Sequence, residues 1–234
     1  CARAGVVYDA GGETLALFRN AEEARSIKLD SGSLFSARTN NSGWLAVTAQ
    51  QSGYKGAVTV YNSGGKEVIQ ILLSSTFAVD AAISPDCKTV AVVTIGQENG
   101  TFSSKVLFYP VNKQEPRAQA SLGNAAVLDL DYESGTLWAV GENQLSIVND
   151  SDGSVQTYSF DRSYLKGCAL GGDGFALLLL GRYRAGSASR ALVIGGDGLE
   201  LAELPLSSQV LDFDAAGSYC SLLTGSALTI YTKD

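Results

Sequence analysis

The sequence predicts an all-β fold, a β-propeller of six to seven four-stranded blades with WD-repeat or quinoprotein-like architecture and incomplete blades at both ends. One unit recurs along the chain: a strand-forming apolar run, a Gly- or Asp-bearing turn, and a short run that ends in an aromatic or aliphatic residue. Its period of roughly 40 residues is typical of propeller blades. No stretch keeps a helical period through three turns, so we expect almost no helix. The residues that align on the third strand of each unit are Phe18, Tyr61, Tyr109, Val148, Ile194 and Tyr231.

The unit is clearest between residues 77 and 122. Runs rich in Val, Ile, Leu and Tyr at 78–83, 89–94 and 105–109 predict its first three strands. A weaker outer strand is expected around 117–120. The turns that join the first two strands of the other units carry glycine, which readily supplies a positive φ: Gly43, Gly135, Gly174 and Gly217.

The repeats predict a single domain over residues 1–234, because a blade buries both of its apolar faces only between two neighbouring blades. Residues 5–29 supply only the second to fourth strands of a blade, and residues 209–234 only the first three. We therefore expect the missing strands upstream of residue 1, or a closing blade that both ends share. The approximate blades are 1–32, 33–75, 76–123, 124–162, 163–208 and 209–234.

Composition and charge exclude several classes of protein. Hydrophobic residues make up 45% of the chain, with 26 Gly and only 4 Pro, which suits a strand-rich core and argues against disorder. The net charge of −7 disfavours nucleic acid as a partner, since that normally requires a basic face. The longest apolar stretch, at 175–180, is far shorter than the roughly 20 residues of a transmembrane helix.

The chain contains no histidine, which excludes Ser-His-Asp and Cys-His catalysis and His-based metal sites. The four cysteines have no CxxC spacing, so we predict no zinc site and no cofactor. They are expected to be separate reduced thiols, with a bridge between Cys168 and Cys220 as an alternative that needs their Cα atoms close together. Cys1 is a further alternative, as a lipid-modified terminus.

The predicted inner strands carry a set of carboxylates. Their alignment places Ser36, Asp80, Asp129, Lys166 and Asp212 in one column, and Asp131 and Asp214 two residues later on the same strand face, together with Ala82 and Cys168. Because inner strands line the channel of a propeller, these side chains are candidates for a cation site or for acid/base chemistry. The alternative interpretation is structural: each Asp accepts backbone N–H bonds or faces channel water.

Three links between second and third strands are longer than the others, at 50–56, 96–104 and 182–189, and we expect them on one face. These links carry aromatic and arginine side chains, which are enriched where proteins bind partners. The alternative is that they are ordinary surface hairpins. The partner-binding candidates on these links are Tyr54, Lys55, Phe102, Arg182, Tyr183 and Arg184.

The segments 5–13, 53–66 and 79–92 resemble an uncharacterised family of bacterial proteins, a domain of unknown function found mainly in anaerobic Gram-positive bacteria. The resemblance implies a membrane-spanning helix upstream of the chain, followed by an extracellular propeller anchored at the cell surface. It implies no catalytic residues. Cys87 departs from the family pattern, which most often has glycine in that turn, so the geometry of the turn is open.

These observations predict a non-enzymatic binding propeller at the cell surface that recognises a protein, a peptide or a glycan through loops on one face. The alternative is a carboxylate-dependent hydrolase or metal-binding site at the central channel. A third possibility is a scaffold that supports a neighbouring domain. No direct contact with nucleic acid is expected, and contact with a membrane only through the upstream anchor.

Overall fold

The structure, a computed structural model, describes residues 4–20, 22–29 and 32–233. Those residues form 22 β-strands in six antiparallel sheets and no helix, so the all-β prediction is confirmed. The described residues accordingly contain no helix that is long and apolar enough to cross a membrane. Cys1, the candidate lipid-modified terminus, lies outside the described residues.

The first three sheets take up the chain from residue 4 to residue 121. The first sheet has three strands: β1 (Ala4–Tyr8), β2 (Thr14–Arg19) and β3 (Glu22–Lys28). The second sheet has four: β4 (Leu34–Thr39), β5 (Leu45–Ala49), β6 (Gly56–Tyr61) and β7 (Glu67–Leu73). The third sheet also has four: β8 (Phe77–Ile83), β9 (Thr89–Glu98), β10 (Thr101–Pro110) and β11 (Ala118–Ser121).

The last three sheets repeat this pattern. The fourth sheet consists of β12 (Val127–Glu133), β13 (Thr136–Gly141), β14 (Gln144–Asn149) and β15 (Val155–Ser159). The fifth consists of β16 (Tyr164–Gly172), β17 (Phe175–Gly181), β18 (Arg190–Gly195) and β19 (Glu200–Leu204). The sixth has three described strands: β20 (Val210–Ala216), β21 (Tyr219–Thr224) and β22 (Leu228–Thr232).

The described chain divides into two compact units. The first unit comprises residues 1–126 with Ser134–Thr136 and Asn149–Ser154, and so contains the first three sheets. The second unit comprises Val127–Glu133, Leu137–Val148 and Val155–Asp234, and contains most of the fourth sheet with the fifth and sixth.

Hydrophobic cores form between successive sheets within each unit. In the second unit, β17 is buried on both faces because its side chains alternate in direction. Leu178 and Leu180 pack into the core shared with the fourth sheet. Leu177 and Leu179 pack into the core shared with the sixth sheet. The fifth sheet therefore packs between the fourth and the sixth.

The turn between β8 and β9 contains Cys87 where the other units place glycine. Cys87 adopts the left-handed conformation with a φ of 59°, close to the 57° of Gly217 in the sixth sheet. The N–H of Cys87 donates to the carbonyl of Ser84 at 2.9 Å, which closes the turn. The cysteine thus keeps the geometry that usually favours glycine, at a cost of about 1 kcal/mol.

The predicted long loop at 96–104 is wrong. Strands β9 and β10 continue through this region, and Glu98 pairs directly with Thr101. Asn99 and Gly100, with φ values of 50° and 78°, form the two-residue turn between them. An Asn-Gly pair in this conformation matches the twist of a β-hairpin, which explains why the ladder extends so far. Phe102 consequently lies on a strand near a hairpin tip.

A β-bulge recurs near the start of the inner strand. In four sheets the pairing with the second strand skips one residue, and the next residue begins the regular ladder. The skipped residues are Phe35, Val79, Lys166 and Leu211. Lys166 is therefore in the bulge, and Gly167 takes the position equivalent to Ser36, Asp80 and Asp212. The predicted column was wrong by one residue in the fifth sheet, and Ala169 replaces Cys168 two positions later.

Candidate functional site

A cavity of about 620 Å³ opens at the edge of the second unit, next to one of the predicted long loops. We call it the Arg184 cavity. It lies where the start of β16 meets the turn between β13 and β14 and the loop between β17 and β18. Its principal lining side chains are Leu128, Glu142, Asp161, Arg162, Tyr164 and Arg184.

Strand pairing brings the aromatic and the arginine of this cavity together. Tyr164 is the first residue of β16 and pairs with Gly181, the last residue of β17. The loop 182–189 starts immediately afterwards, so it has to begin beside Tyr164. Lys166 fastens the loop, because its Nζ donates to the backbone carbonyl of Arg184 at 2.8 Å. The position of Arg184 therefore follows from the strand register and one hydrogen bond.

The linker from β15 to β16 forms another wall and is held by local hydrogen bonds. Phe160 is fully buried, and its N–H donates to the carbonyl of Asn143 at 2.9 Å. The N–H of Ser163 donates to the carbonyl of Phe160 at 2.9 Å. Nη2 of Arg190 donates to the hydroxyl of Ser163 at 3.2 Å. These contacts hold the linker in place, so the cavity wall is preorganised.

The Arg184 cavity combines exposed apolar surface with both signs of charge. Leu128 is 53% exposed and Tyr164 is 44% exposed, although each lies beside a packed sheet. Arg162 and Arg184 contribute positive charge, and Glu142 and Asp161 contribute negative charge. Its volume is within the range of about 300–1,000 Å³ that small-ligand pockets have. Such a lining suits an amphipathic ligand better than a purely polar or purely apolar one.

The structure distributes the six predicted partner-binding residues over both units. Of the three on loop 182–189, Arg184 lines the cavity, whereas Arg182 and Tyr183 are exposed outside its lining, Tyr183 by 75%. In the first unit, Tyr54 and Phe102 are exposed. The predicted residues therefore form two groups, one on each unit.

Lys55, the third candidate on the first unit, is held by two contacts. Its Nζ donates to the carbonyl of Ser75 at 2.9 Å and lies 5.2 Å from the centre of the Phe77 ring. A cation over an aromatic face is stabilised electrostatically. Lys55 is thus partly committed to its own unit.

Tyr164 and Leu128 were not among the residues predicted from the sequence. The signal that identifies Tyr164 is its place at the head of an inner strand, which antiparallel pairing puts next to the loop after the second strand. Leu128 immediately precedes Asp129, at a position that the other sheets use for bulged and mostly apolar residues. An exposed apolar residue at that point is visible in the sequence once the bulge is recognised.

In the first unit, the inner-strand carboxylate Asp80 takes part in a network between two sheets. The hydroxyl of Ser36 donates to Oδ1 of Asp80 at 2.7 Å. Nε of Arg38 donates to Oδ2 at 2.8 Å. The backbone N–H of Ala81 also donates to Oδ1, at 2.9 Å. Through these hydrogen bonds, Asp80 links the second and third sheets.

In the second unit, the inner-strand carboxylates accept hydrogen bonds from their own strands. Asp129, Asp212 and Asp214 each accept the backbone N–H of the following residue at 2.9 Å. Asp131, two residues after Asp129, is partly buried and engaged in further interactions. Within residues 4–20, 22–29 and 32–233, no three Asp, Glu or Cys side chains gather closely enough to hold a metal ion.

The three cysteines that the structure describes, Cys87, Cys168 and Cys220, are free thiols, so no Cys168–Cys220 bridge forms. Burial and, secondarily, the charge of Asp129 raise the pKa of Cys168 to about 11. Burial also raises the pKa of Cys220. Both thiols therefore remain protonated at neutral pH and are poor nucleophiles.

Solved structures with the same fold are β-propellers. The C-terminal WD40 domain of Sif2 superposes with a TM-score of 0.50 and 10% identity over 95% of this chain and 76% of that one. Kluyvelomyces marxianus Hsv2 gives 0.62 and 12% identity over 95% and 67%. The β-propeller domain of Myceliophteria thermophila Cps50 (Swd1) gives 0.57 and 11% over 87% and 66%. At such identities the likeness shows the fold alone, and the β-propeller prediction is confirmed.

No curated protein matches the chain in sequence. A family model does match, over residues 1–234. The predicted resemblance to an uncharacterised family is thereby confirmed at the level of the family. The chain belongs to the family of unknown function DUF5711.

Proposed function

We propose that this chain is a non-enzymatic binding propeller that recognises an extended segment of a protein partner at the Arg184 cavity. The observation that carries the proposal is the partly exposed Tyr164 ring beside Arg184, in a cavity large enough for one or two side chains of a ligand. Tyrosine and arginine are, with tryptophan, the residues enriched at binding hot spots. The fixed linker and the Lys166 hydrogen bond reduce the entropy lost on binding.

The lining favours a peptide over a glycan or a small apolar ligand. A peptide brings an apolar or aromatic side chain for the Leu128 and Tyr164 surface, and charged or polar groups for the arginines and carboxylates around it. One side chain inserted between Tyr164 and Leu128, with a carboxylate directed to Arg184 or Arg162, satisfies both kinds of surface. The ligand that we propose is thus a short segment with an aromatic or aliphatic anchor next to an acidic residue.

No observation favours the alternative of a carboxylate hydrolase. Asp129, Asp212 and Asp214 each hydrogen-bond their own strand, and Asp80 is committed to Ser36 and Arg38. We therefore treat these carboxylates as structural and assign binding to the loops.

We also propose, from the family resemblance, that the propeller is presented at the outer surface of the cell. Arg182 and Arg184 lie on an exposed loop and are suitable trypsin sites. Trypsin added to intact cells of the source organism is expected to cleave this loop, as detected by antibodies against the purified chain. Protection in intact cells, together with cleavage after lysis, would contradict this placement.

The binding proposal is tested by selecting ligands from a phage-displayed library of random peptides against the purified chain. Selected peptides are expected to share an aromatic or aliphatic residue next to an acidic one. Their affinity, measured by fluorescence anisotropy, should fall at least about tenfold, or about 1.4 kcal/mol, in Tyr164→Ala and in Arg184→Ala. The matched control is Phe102→Ala, which removes an exposed aromatic residue from the first unit and should leave the affinity unchanged. If only Phe102→Ala weakens binding, the assignment of the cavity is wrong.

A further inference from the structure

A second cavity, of about 450 Å³, lies in the first unit, remote in sequence from the residues of the Arg184 cavity. It is formed by the end of β2, by the turn between β4 and β5, and by the turn between β6 and β7. We call it the Arg19 cavity. The lining residues with polar side chains that concern us are Arg19, Asn41, Ser42 and Ser63.

Among the described residues of this lining, Arg19 is the single charged one, and none is a carboxylate. Among the residues described, Arg19 has no ion-pair partner, although the chain carries a net charge of −7. Arg25 on the adjacent strand differs, because its Nη2 donates to the carbonyl of Gly64 at 3.2 Å. No described residue therefore occupies the planar set of N–H donors of Arg19, whereas Arg25 joins two sheets.

Gly43 leaves space for the guanidinium of Arg19 beside the turn. A Cβ atom at position 43 would lie 2.5 Å from Nη2 of Arg19, so any larger residue would push the guanidinium away from the turn. The φ of Gly43 is 74°, which also favours glycine there. The turn thus has both the space and the backbone conformation needed to keep Arg19 against it.

The two turns that carry the serines are rigid. Oδ1 of Asn40 accepts the backbone N–H groups of Ser42 and Trp44 at 3.0 and 3.1 Å. In the same way, Oδ1 of Asn62 accepts those of Gly64 and Lys66, both at 3.0 Å. These bonds hold the backbone that carries Asn41, Ser42 and Ser63, and the three polar side chains line the same cavity as Arg19.

We propose that the Arg19 cavity binds a tetrahedral oxyanion, such as phosphate, sulfate or a phosphoryl or sulfate ester. A guanidinium offers two parallel N–H donors, which match two oxygens of such an anion. Hydroxyl and amide donors from Ser42, Ser63 and Asn41 complete the set of donors for the remaining oxygens. A carboxylate has only two oxygens and would leave these donors unused, so tetrahedral anions are preferred over carboxylates.

The test is a titration of the ¹⁵N-labelled chain with inorganic phosphate, with sulfate, and with glycerol phosphate, followed by two-dimensional NMR at constant ionic strength. At least one of these anions is expected to produce saturable shifts at Arg19 Nε and at the amides of Asn41, Ser42, Gly43 and Ser63. Comparison of the three distinguishes a free ion from an ester as the preferred form. If all three behave like added chloride, or if acetate saturates the site at lower concentration, the proposal is overturned.

Variants separate specific binding from general attraction. Arg19→Gln should lower the affinity for the anion at least about tenfold. Arg19→Lys should lower it by less, because lysine keeps the charge but lacks the two parallel N–H donors of the guanidinium. Arg182→Gln is the matched control, with the same change of charge at an exposed residue outside the lining of the Arg19 cavity, and should leave the affinity unchanged. Equal losses in Arg19→Gln and Arg182→Gln would also overturn the proposal. The same spectra show that each variant is folded.

Discussion

The inner-strand aspartates of the two units occupy equivalent positions but have different roles. Asp80 in the first unit links two sheets through Ser36 and Arg38, and its side chain is only 18% exposed. Asp212 in the second unit is exposed, and within the described part of the chain it accepts only the N–H of the residue that follows it. The difference teaches that a residue repeated along a propeller can share the local backbone arrangement without sharing any longer-range interaction.

What the equivalent positions have in common is the bulge before them. The bulge redirects the strand, and Asp80 and Asp212 both accept the backbone N–H directly after themselves. The hydrogen bonds between the second and third sheets require in addition a serine and an arginine on the neighbouring inner strand, and β4 supplies both. In the fifth sheet the equivalent residue is Gly167, which carries no acceptor and is instead covered by an aromatic ring.

The largest loss of stability is expected at Gly167, the residue of the fifth sheet at the position equivalent to Asp80 and Asp212. A Cβ atom there would lie 2.3 Å from Cζ and 2.7 Å from Cε1 of Phe213, an aromatic ring that packs on the neighbouring core. Gly167→Ala should therefore destabilise the chain by about 2 to 3 kcal/mol. The measurement is urea unfolding followed by tryptophan fluorescence. Gly225→Ala, which meets no atom within 4 Å, is the control and should change little. Equal stability of the two variants would contradict the close packing.

The second-largest loss of stability is expected at Asp80, which we compare with Asp212. Asp80→Ala removes the acceptor that Arg38 and Ser36 share in a partly buried site, so we expect a loss of about 2 kcal/mol in the free energy of unfolding. Asp212→Ala removes an exposed local hydrogen bond and should cost no more than about 0.5 kcal/mol. Chemical denaturation of both variants under the same conditions measures the difference. If the two losses are alike, the cross-sheet network contributes nothing beyond the local bond.

The smallest effect tests whether Asp129 acts on its neighbour through charge. Burial is the main cause of the high pKa of Cys168, and the negative charge of Asp129 raises it further. Asp129→Asn removes that charge, so the pKa of Cys168 should fall and the thiolate fraction at pH 8 should rise. Alkylation of Cys168 by iodoacetamide, followed by mass spectrometry, should become about two- to threefold faster. An unchanged rate at Cys168, with Cys87 as the internal reference, would show that burial alone sets the pKa.

Much of the fold could be predicted from the sequence because it depends on local patterns. Alternating and continuous apolar runs mark the strands, and glycine marks the turns. The aligned residues from Tyr61 to Tyr231 fall on the third strands of their sheets as predicted, whereas Phe18 lies on β2, the second described strand of the first sheet. The register of paired strands is harder to predict from the sequence. The bulge at Lys166 adds one residue without any change of composition, so the sequence pattern predicts Lys166 at the position that Gly167 occupies.

The candidate sites were predictable only in part. Arg184 was found because its loop is long, but the cavity depends on Tyr164, which reads as an ordinary strand residue. Phe102 lies on a strand and not on the predicted loop, because Asn99 and Gly100 form a two-residue hairpin turn. The Arg19 cavity depends on two turns that are distant in the sequence and on the absence of a Cβ atom at Gly43. Such combinations arise only after the sheets have packed.

The buried strand β17 has a consequence for how the second unit opens. Its side chains contribute alternately to two cores, so neither core can be exposed without displacing a strand that the other needs. Local opening of one core therefore carries the free energy of opening both, and the fifth sheet with its neighbours behaves as one cooperative foldon. The amide protons of Leu177 to Leu180 then exchange with solvent only through the largest opening of that unit.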